Sequence, residues 1–416
     1  MKKVAEKKGM LGIKVRKPSF WLYILPALIV WPLVALIFRH KTDRSALKMR
    51  KLKDPVLAIA SHCSTFDIVI SVLALLPKRF NIVTGKDLFS WPALKPFIKR
   101  FGAIPKSQNA IDLQSMRIMK AAVEQNRNIL IYPEGKTSLD GKNLFYINPS
   151  ISKFIKFIDC DVVMVKTNGV YLTKPRYFHG FRRGKIQSKP YVLLTKEEVR
   201  TLSNKEIYSK VSEALKFNDH VWQRENNVKF VSSHLAQNLN YILYKCPKCG
   251  AEYEMESDEH YLTCKRCNNK VEYTPYGELK PIGDSVSLDR VDLWYDYERE
   301  EGLKEFFKEG FYMENPVNLL IEDKQQSEYT QRGEGVFFMD KENLGYKGTK
   351  DGENMEVILP LKQLSTIITK NKEGIDLVVG EEIYRFLFTE HKWSSKYGNI
   401  VEQYCAYRNG LLAKTE

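Results

Sequence analysis

Two side chains suited to proton transfer, His62 and Asp67, lie five positions apart in the segment Ser61-His-Cys-Ser-Thr-Phe-Asp67. A carboxylate that accepts a hydrogen bond from one imidazole nitrogen fixes the tautomer, and it stabilises the imidazolium when the other nitrogen takes a proton. The segment follows Pro55-Val-Leu-Ala-Ile-Ala60, an apolar run that predicts a short buried strand. The pattern therefore indicates a general base at a strand end. A structural hydrogen bond gives the same spacing, so the pair alone leaves both interpretations open.

Three further segments also combine apolar residues with polar residues, glycine or proline. Arg127–Tyr132 (RNILIY) predicts another buried strand, and Pro133-Glu-Gly-Lys-Thr-Ser138 follows it directly. Phe101-Gly-Ala-Ile-Pro105 lies between the two polar segments, and Val162–Gly169 is an apolar run that ends in glycine. Four such segments in a fixed order identify a protein family far more specifically than the His-Asp pair does.

Over residues 55–185 these segments resemble the glycerolipid acyltransferase family, to which lysophosphatidic acid acyltransferase belongs. The H-x4-D motif of that family corresponds to His62 and Asp67, and its F-P-E-G-T-R-S block corresponds to Tyr132–Ser138. The resemblance implies an α/β fold with a mixed central sheet. It also implies direct acyl transfer from a thioester, acyl-CoA or acyl carrier protein, to the sn-2 hydroxyl of 1-acyl-sn-glycerol-3-phosphate. His62 would be the general base and Asp67 would orient it, without a covalent acyl-enzyme.

By the same resemblance, the substrate-binding residues are Gly102, Lys106, Glu134, Gly135, Lys136, Thr137 and Ser138. Two positions depart from the family pattern. Gln108 occupies the place of a basic residue, for which Lys106 is the nearby substitute, and the Thr-Arg pair appears as Lys136-Thr137. Lysine acts as a point charge and lacks the bidentate guanidinium fork. The acceptor headgroup therefore stays open, with another lysophospholipid or an aminoacyl lipid as the alternative.

Other residues near these motifs admit more than one interpretation. Cys63 suggests a Cys–His acyl-enzyme, but neighbours on an extended segment face opposite ways, so we expect a packed thiol. The cations around Arg176 and Arg182 either bind substrate phosphates or are solvated surface charges.

Residues 1–50 are expected to form a basic, hydrophobic membrane anchor. Phe20–Phe38 is nineteen residues without a charge, nearly long enough as a helix to cross a bilayer core. Pro26 and Pro32 should kink or break a straight helix. Both flanks are basic, which fits a re-entrant or interfacial segment at the cytoplasmic face as well as a spanning one. A buried core helix is the remaining alternative.

Charge and cysteine usage narrow the class of protein. The net charge of +15 calls for an acidic partner. No recognisable nucleic-acid-binding pattern accompanies it, so we expect membrane lipids and a lysolipid rather than nucleic acid. Seven unevenly spaced cysteines argue against a disulfide framework and for a reducing compartment.

Residues 241–280 carry two C-x-x-C pairs, Cys246/Cys249 and Cys264/Cys267, with fourteen residues between the pairs. Four thiolates at this spacing fit tetrahedral structural Zn²⁺ and resemble a zinc ribbon. Iron in a rubredoxin-like site is the alternative. Because a closed four-cysteine shell has no open position, we expect a role in folding rather than in catalysis.

The remaining chain divides into an acyltransferase domain, residues 51–240, and a β-rich domain, residues 281–416. In the former, residues 196–243 look helical, with Ser203 as an N-cap. In the latter, short β-prone runs precede an amphipathic helix at Trp393–Tyr407, and this arrangement resembles a pleckstrin-homology or lipid-sensing domain. A plain interaction domain is the alternative. A lipid-binding scaffold with a silent acyltransferase fold is the competing hypothesis of another class.

Overall fold

A computed structural model describes residues 13–47, 49, 52–53, 55–89, 95–107, 112–143, 146–323, 328–364, 366–370, 374–379, 382–389 and 393–412. The contacts divide the chain into two compact units. The first unit comprises residues 1–138, 147–174 and 183–228, and the second comprises residues 139–146, 175–182 and 229–416.

The first unit is an α/β structure around a seven-stranded sheet with the strand order β1-β7-β6-β2-β5-β3-β4. Its elements are α1 (Phe20–Ile37), β1 (Lys41–Thr42), β2 (Val56–Ala60), α2 (Asp67–Leu75), β3 (Phe80–Gly85), α3 (Lys95–Arg100), β4 (Ile104–Lys106), α4 (Leu113–Glu124), β5 (Asn128–Ile131), α5 (Ser150–Ile158), β6 (Asp161–Asn168), α6 (Val170–Thr173), β7 (Gln187–Leu194), α7 (Lys196–Thr201), α8 (Asn204–Leu215) and α9 (Asp219–Asn226). The pairs β6–β2, β2–β5, β5–β3 and β3–β4 are parallel, whereas β7 runs antiparallel to β6. The sheet is therefore mixed, and the predicted strands at β2, β5 and β6 are confirmed.

Helices cover both faces of this sheet, which explains why its central strands are continuously apolar. Every residue of β2 and β5 is buried. In β2, Leu57 and Ile59 join a cluster with α4, α5 and α8, while Val56 and Ala58 join a second cluster that includes the end of α2. Since β6, β2, β5, β3 and β4 are parallel, their carboxyl ends meet at one edge of the sheet, where ligands bind in open α/β folds.

Helix α1 runs without interruption through Pro26 and Pro32, so of the expected kink or break at the prolines the break is wrong. Among the described residues it is the one helix long and apolar enough to cross a membrane. Only Tyr23, Ala27 and Val34 of α1 are buried. The helix thus packs on the rest of the first unit along one narrow face and leaves most of its other apolar side chains exposed.

The segment after the sheet is less helical than its sequence indicates. Helices α7 and α8 carry capping boxes, and the N-cap at Ser203 is confirmed because its hydroxyl accepts the Glu206 N–H. Beyond α9, however, residues 227–243 contain only a short 3-10 turn at Leu239–Tyr241, so the predicted helix there is wrong. Asn227 adopts a left-handed conformation at the end of α9, which terminates the helix.

The second unit contains two antiparallel sheets and two helices. Its elements are β8 (Met255–Ser257), β9 (Tyr261–Cys264), β10 (Lys270–Tyr273), β11 (Glu278–Pro281), β12 (Asp289–Arg290), α10 (Val291–Phe307), β13 (Tyr312–Asp323), β14 (Glu328–Asp340), β15 (Asn343–Lys350), β16 (Glu353–Pro360), β17 (Ile368–Lys370), β18 (Gly374–Val379), β19 (Glu382–Phe388) and α11 (Ser394–Arg408). The sheet orders are β12-β11-β10-β9-β8 and β16-β15-β14-β13-β19-β18-β17. Side chains from α10 and α11 complete the core of the seven-stranded sheet.

The β-rich character predicted for the C-terminal region and the presence of a closing helix at α11 are confirmed. The predicted amphipathic pattern of that helix is wrong, because residues on all sides of α11 are buried. The seventeen-residue helix α10 was not anticipated. It has no single apolar stripe, because charged residues such as Glu298 and Arg299 are buried in it beside Trp294. A periodicity search for one apolar face misses such a helix.

Candidate active site and metal centre

The polar segment after β2 turns directly into α2 and brings His62 against Asp67. Nδ1 of His62 lies 2.8 Å from Oδ2 of Asp67. The Asp67 side chain is 1% exposed, whereas that of His62 is 23% exposed and open to a substrate. An ionised carboxylate only accepts hydrogen bonds, so Nδ1 of the neutral imidazole carries the proton and Nε2 carries the lone pair. This is the tautomer that a general base requires.

Asp67 is fixed by the backbone that precedes it. Its Oδ2 atom also accepts the N–H groups of Cys63 at 2.7 Å and Ser64 at 2.8 Å. The Cys63 thiol donates to Oδ1 at 3.2 Å. Burial, reinforced by the neighbouring Asp67, raises the pKa of the Cys63 thiol, so this side chain is a packed thiol rather than an activated nucleophile.

The segment after β5 approaches His62 from the other side. The Thr137 hydroxyl lies 3.1 Å from Nε2 of His62, and the Ser138 N–H donates to the His62 carbonyl at 2.8 Å. The ring of Tyr132 packs on the imidazole, with 4.7 Å between the ring centroids. These contacts form because β2 and β5 are neighbouring parallel strands that end at the same edge.

Glu134 is a second buried carboxyl group beside His62. Its Oε2 accepts the His62 N–H at 2.5 Å, and its Oε1 has no hydrogen-bond partner in the described part of the chain. Burial raises the pKa of Glu134 to about 8, the His62 N–H opposes this shift and the Asp67 charge adds to it. At neutral pH the group is therefore mainly an uncharged acid, and its unpartnered oxygen can meet a polar ligand atom.

Gly135 and Lys136 occupy the turn between Glu134 and Thr137. Gly135 has φ +71°, a left-handed conformation that favours glycine, and no described atom lies within 4 Å of the position of an added Cβ. Lys136 is partly exposed and lowers the pKa of Glu134 through its charge, against the larger effect of burial. The turn thus has open space above it and a cation beside it.

Gly102 and Lys106 lie on the β4 side of the same sheet. Three inter-strand steps separate β4 from β2, or roughly 14 Å at about 4.8 Å per step. A Cβ on Gly102 would lie 2.7 Å from the Arg16 carbonyl and from Asn81, which gives the glycine a packing role. Lys106 is exposed, and its ammonium donates to the Ser107 carbonyl. Gln108 lies outside the described residues.

Asp219 is a buried polar residue of this region that the sequence did not indicate. Its carboxyl group accepts the N–H groups of Gly169 at 2.9 Å and Tyr171 at 3.0 Å, where β6 turns into α6. Burial raises the pKa of Asp219 to about 7, with a smaller contribution in the same direction from Asp67. Fifty residues separate it from Gly169, so no local pattern connects the two.

In the second unit, the sulfur atoms of Cys246, Cys249, Cys264 and Cys267 all lie within 4.8 Å of one another. The two turns match: Gly250 N–H donates to the Cys246 carbonyl, and Asn268 N–H donates to the Cys264 carbonyl, both at 2.9 Å.

Two of the sulfur pairs in this cluster, Cys246–Cys267 and Cys249–Cys264, are 3.7 Å and 3.9 Å apart. Four thiolates placed tetrahedrally at about 2.3 Å from Zn²⁺ would be about 3.8 Å apart. The residues therefore fit a closed tetrahedral metal site.

The family match lies mainly in the first unit. The family model for Acyltransferase matches residues 39–168. No curated protein matches the chain. Among solved structures, the chain is similar to the 1-acyl-sn-glycerophosphate (LPA) acyltransferase PlsC from Thermotoga maritima, with 14% identity over 50% of this chain and 90% of that chain and a TM-score of 0.38. The Ran-binding domain of Nup2 from Ashbya gossypii is 16% identical over 22% of this chain and 93% of that chain, with a TM-score of 0.19. Residues 39–168, which include His62 and Asp67, are thus an acyltransferase domain by their match to the family model.

Proposed function

We propose that this protein is a membrane-associated acyltransferase that esterifies the sn-2 hydroxyl of 1-acyl-sn-glycerol-3-phosphate with a fatty acyl group from a thioester. The observation that carries the proposal is the arrangement of His62. Its Nδ1 is bonded to the buried Asp67, and its Nε2 faces a hydroxyl group, that of Thr137. A partly exposed imidazole so arranged is a general base for an alcohol.

The reaction proceeds in one transfer. Nε2 of His62 removes the proton of the acceptor hydroxyl while the oxygen forms a bond to the thioester carbonyl carbon. Asp67 stabilises the resulting imidazolium through Nδ1–H. The carbon–sulfur bond then breaks, and the leaving thiolate takes the proton from Nε2, which restores the neutral imidazole. Acyl-CoA and acyl carrier protein both supply such a thioester.

Glu134 serves this chemistry best as a neutral acid. The imidazolium already has one carboxylate partner in Asp67, and a second ionised carboxyl group would repel an anionic acceptor. With its pKa at about 8, Glu134 keeps the His62 N–H in place without that repulsion. Lys136 supplies the positive charge for a phosphate in the same turn.

A different acceptor headgroup is the second candidate. In the family pattern an arginine occupies the position of Thr137. In this chain the Thr137 hydroxyl bonds to Nε2 of His62. A guanidinium fork is therefore missing from this position, and Lys136 is a poorer bidentate partner for a phosphomonoester. Another lysophospholipid or an aminoacyl lipid fits this difference.

We propose that α1 associates with the membrane. Its exposed apolar side chains, among them Trp21, Leu28 and Leu36, suit an apolar or interfacial environment. The chain beyond α1 continues through Phe38, whose ring packs on Phe66 at 5.6 Å between centroids. Phe66 precedes Asp67, so a lipid surface at α1 brings acceptor and donor chains near His62. The basic flanks favour the cytoplasmic face.

We also propose that the four-cysteine cluster binds Zn²⁺ in a structural role, since all four thiolates complete the coordination shell. The seven-stranded sheet that α11 closes supports a pleckstrin-homology-like assignment for the C-terminal domain. This domain would contribute membrane or partner contact and no chemistry.

Acyl transfer by the purified protein tests the proposal. Acyl-CoA and acyl carrier protein donors are assayed against 1-acyl-sn-glycerol-3-phosphate and other lysophospholipids. His62→Ala should lower turnover at least about a hundredfold, whereas His234→Ala, at an exposed histidine of the second unit, should not. Activity on another lysolipid alone would favour the second candidate. Unchanged lipid synthesis in cells that carry His62→Ala would favour the scaffold hypothesis.

A further inference from the structure

The chain that positions the catalytic imidazole continues at once into a different body. Thr137 and Ser138 bond to the side chain and the carbonyl of His62. The next residues, Leu139–Tyr146, belong by their contacts to the second unit. The segment that begins at Leu139, the residue after Ser138, is therefore held by contacts within the second unit.

Among the contacts that hold this segment is a buried ion pair between Asp140 and Arg299 of α10. Nη1 of Arg299 lies 2.5 Å from Oδ2 of Asp140, and the two side chains are 3% and 1% exposed. The guanidinium also lies over the Tyr295 ring, 4.4 Å from its centroid, and Lys142 pairs with Asp296 on the same helix. Removing one partner of a buried pair leaves an uncompensated charge, so this contact strongly fixes the segment.

Helix α10 is itself anchored beside the cysteine cluster. Glu298 accepts the Lys245 N–H at 2.8 Å, and the Trp294 indole N–H donates to the Lys245 carbonyl at 2.9 Å. Lys245 immediately precedes Cys246. Arg299 thus extends from a helix whose neighbouring residues are fixed to the first metal-ligand turn.

We infer that Arg299 is a positioning residue for acyl transfer: through Asp140 it holds the segment that places Thr137 and Ser138 against His62. The expected change in kcat rests on the proposed function. The expected effect on the positions of Thr137 and Ser138 rests on the hydrogen bonds alone.

The competing explanation is that Arg299 only stabilises the second unit. The chain offers a matched pair to separate the two roles. Arg385 of β19 bonds Asp376 of β18 through two contacts of 2.9 Å and 3.0 Å. The side chains of Arg385 and Asp376 are 20% and 3% exposed. This pair belongs to the second unit and lies in strands far along the chain from residues 137–140. A purely stabilising role predicts a lower melting temperature from the loss of either pair and no loss of kcat that is specific to the Arg299–Asp140 pair.

The experiment compares Arg299→Met/Asp140→Asn with Arg385→Met/Asp376→Asn in the full chain, since each double variant removes both charges together. Amide hydrogen exchange of a peptide that covers residues 133–143 reports the amides around Ser138, its own N–H included, without any substrate. We expect faster exchange there for the first variant only. We also expect a kcat at least about tenfold lower for the first variant only, because small misplacements of catalytic groups are costly, with KM changed less.

A double-mutant cycle with Thr137→Val separates positioning from stability. If Arg299 acts through Thr137, the Thr137→Val loss in kcat should largely disappear once the Arg299–Asp140 pair is absent. Full additivity, or exchange and kcat unchanged in the first variant, would overturn the inference. Should the double variant fail to fold, Asp140→Asn alone supplies the same test, since it keeps the shape of the side chain, removes its charge and leaves Arg299 paired with Asp296.

Failure of the proposed function is distinguishable from failure of this inference. If the wild-type protein transfers no acyl group to any lyso-acceptor, the proposed function is wrong, and the exchange comparison alone decides whether Arg299 fixes the segment. If transfer occurs but the exchange does not differ between the two variants, the inference is wrong and the function stands.

Discussion

The hydroxyl of Thr137 lies 3.1 Å from Nε2 of His62, on the side of the imidazole opposite Asp67. Thr137 is 9% exposed, so its hydroxyl contacts Nε2 of His62 from within the protein. The contact orients the imidazole in the free protein. Because Nε2 has one in-plane lone pair, the acceptor hydroxyl replaces Thr137 as its donor in the proposed reaction, and once Nε2 is protonated the Thr137 oxygen can accept its N–H.

Replacing Thr137 by valine removes this hydroxyl at nearly constant volume. A lost side-chain hydrogen bond is worth about 1 kcal/mol, so we expect kcat to fall about five- to tenfold. Thr137→Ser, which keeps the hydroxyl, should retain most of the activity. Initial rates at saturating donor and acceptor measure both variants, and equal losses for valine and serine would contradict an orienting hydroxyl.

Asp67→Asn tests the charge of Asp67 separately from the hydrogen bonds that its Oδ2 atom accepts. All three N–H donors, from His62, Cys63 and Ser64, converge on Oδ2, so an amide oxygen in that place can accept the same bonds. The imidazolium then loses its counter-charge, and we expect about a hundredfold loss in kcat with little change in melting temperature.

Asp67→Ala is the companion variant, because it leaves the two backbone N–H groups without an acceptor. It should lower both kcat and the melting temperature. A melting temperature equally low for Asp67→Asn would mean that the amide cannot replace the carboxylate in this turn.

The raised pKa of Glu134 predicts how stability depends on pH. Below its ordinary pKa of 4.5 the carboxyl group is protonated in the folded and unfolded chains alike. Between there and about 8 only the unfolded chain releases the proton, so the free energy of unfolding should fall as pH rises. Asp219 acts in the same sense up to about pH 7.

Glu134→Gln should remove the part of this decline that belongs to Glu134. Urea unfolding at pH 5 and pH 8 measures it, with Glu197→Gln at an exposed site as the control. A decline as steep in Glu134→Gln as in the wild type would show that Glu134 is ionised in the folded protein.

The cysteine cluster predicts one metal ion per chain. Cys246→Ser should abolish bound zinc and lower the melting temperature, because structural metal binding contributes folding free energy. Cys405→Ala removes another buried thiol of the second unit and should keep the metal. Elemental analysis of the purified variants provides the measurement, and a well-folded, metal-free Cys246→Ser protein would contradict a structural site.

Much of the first unit could be predicted because its signals are local. The runs at 55–60 and 127–132 are buried on both sides of a parallel sheet, which requires continuous apolar sequence. The residues that follow each run are polar, and the ends of parallel strands meet at one edge. Helix α10 and residues 227–243 could not be predicted. The former buries polar residues such as Glu298 where a single apolar stripe is expected, and the latter is held by contacts outside the segment, such as the Phe230 N–H to the Pro275 carbonyl.

By itself the sequence determined the chemistry available to this protein: an imidazole with a carboxylate five positions on, a Glu-Gly-Lys-Thr-Ser block and four thiols. Only the tertiary structure decided which of these groups meet. Thr137 bonds to a nitrogen 75 residues away, and Arg299 pairs with an aspartate 159 residues away. Such contacts depend on strand register and on the direction of each side chain, and both arise from packing of the whole chain rather than from local sequence.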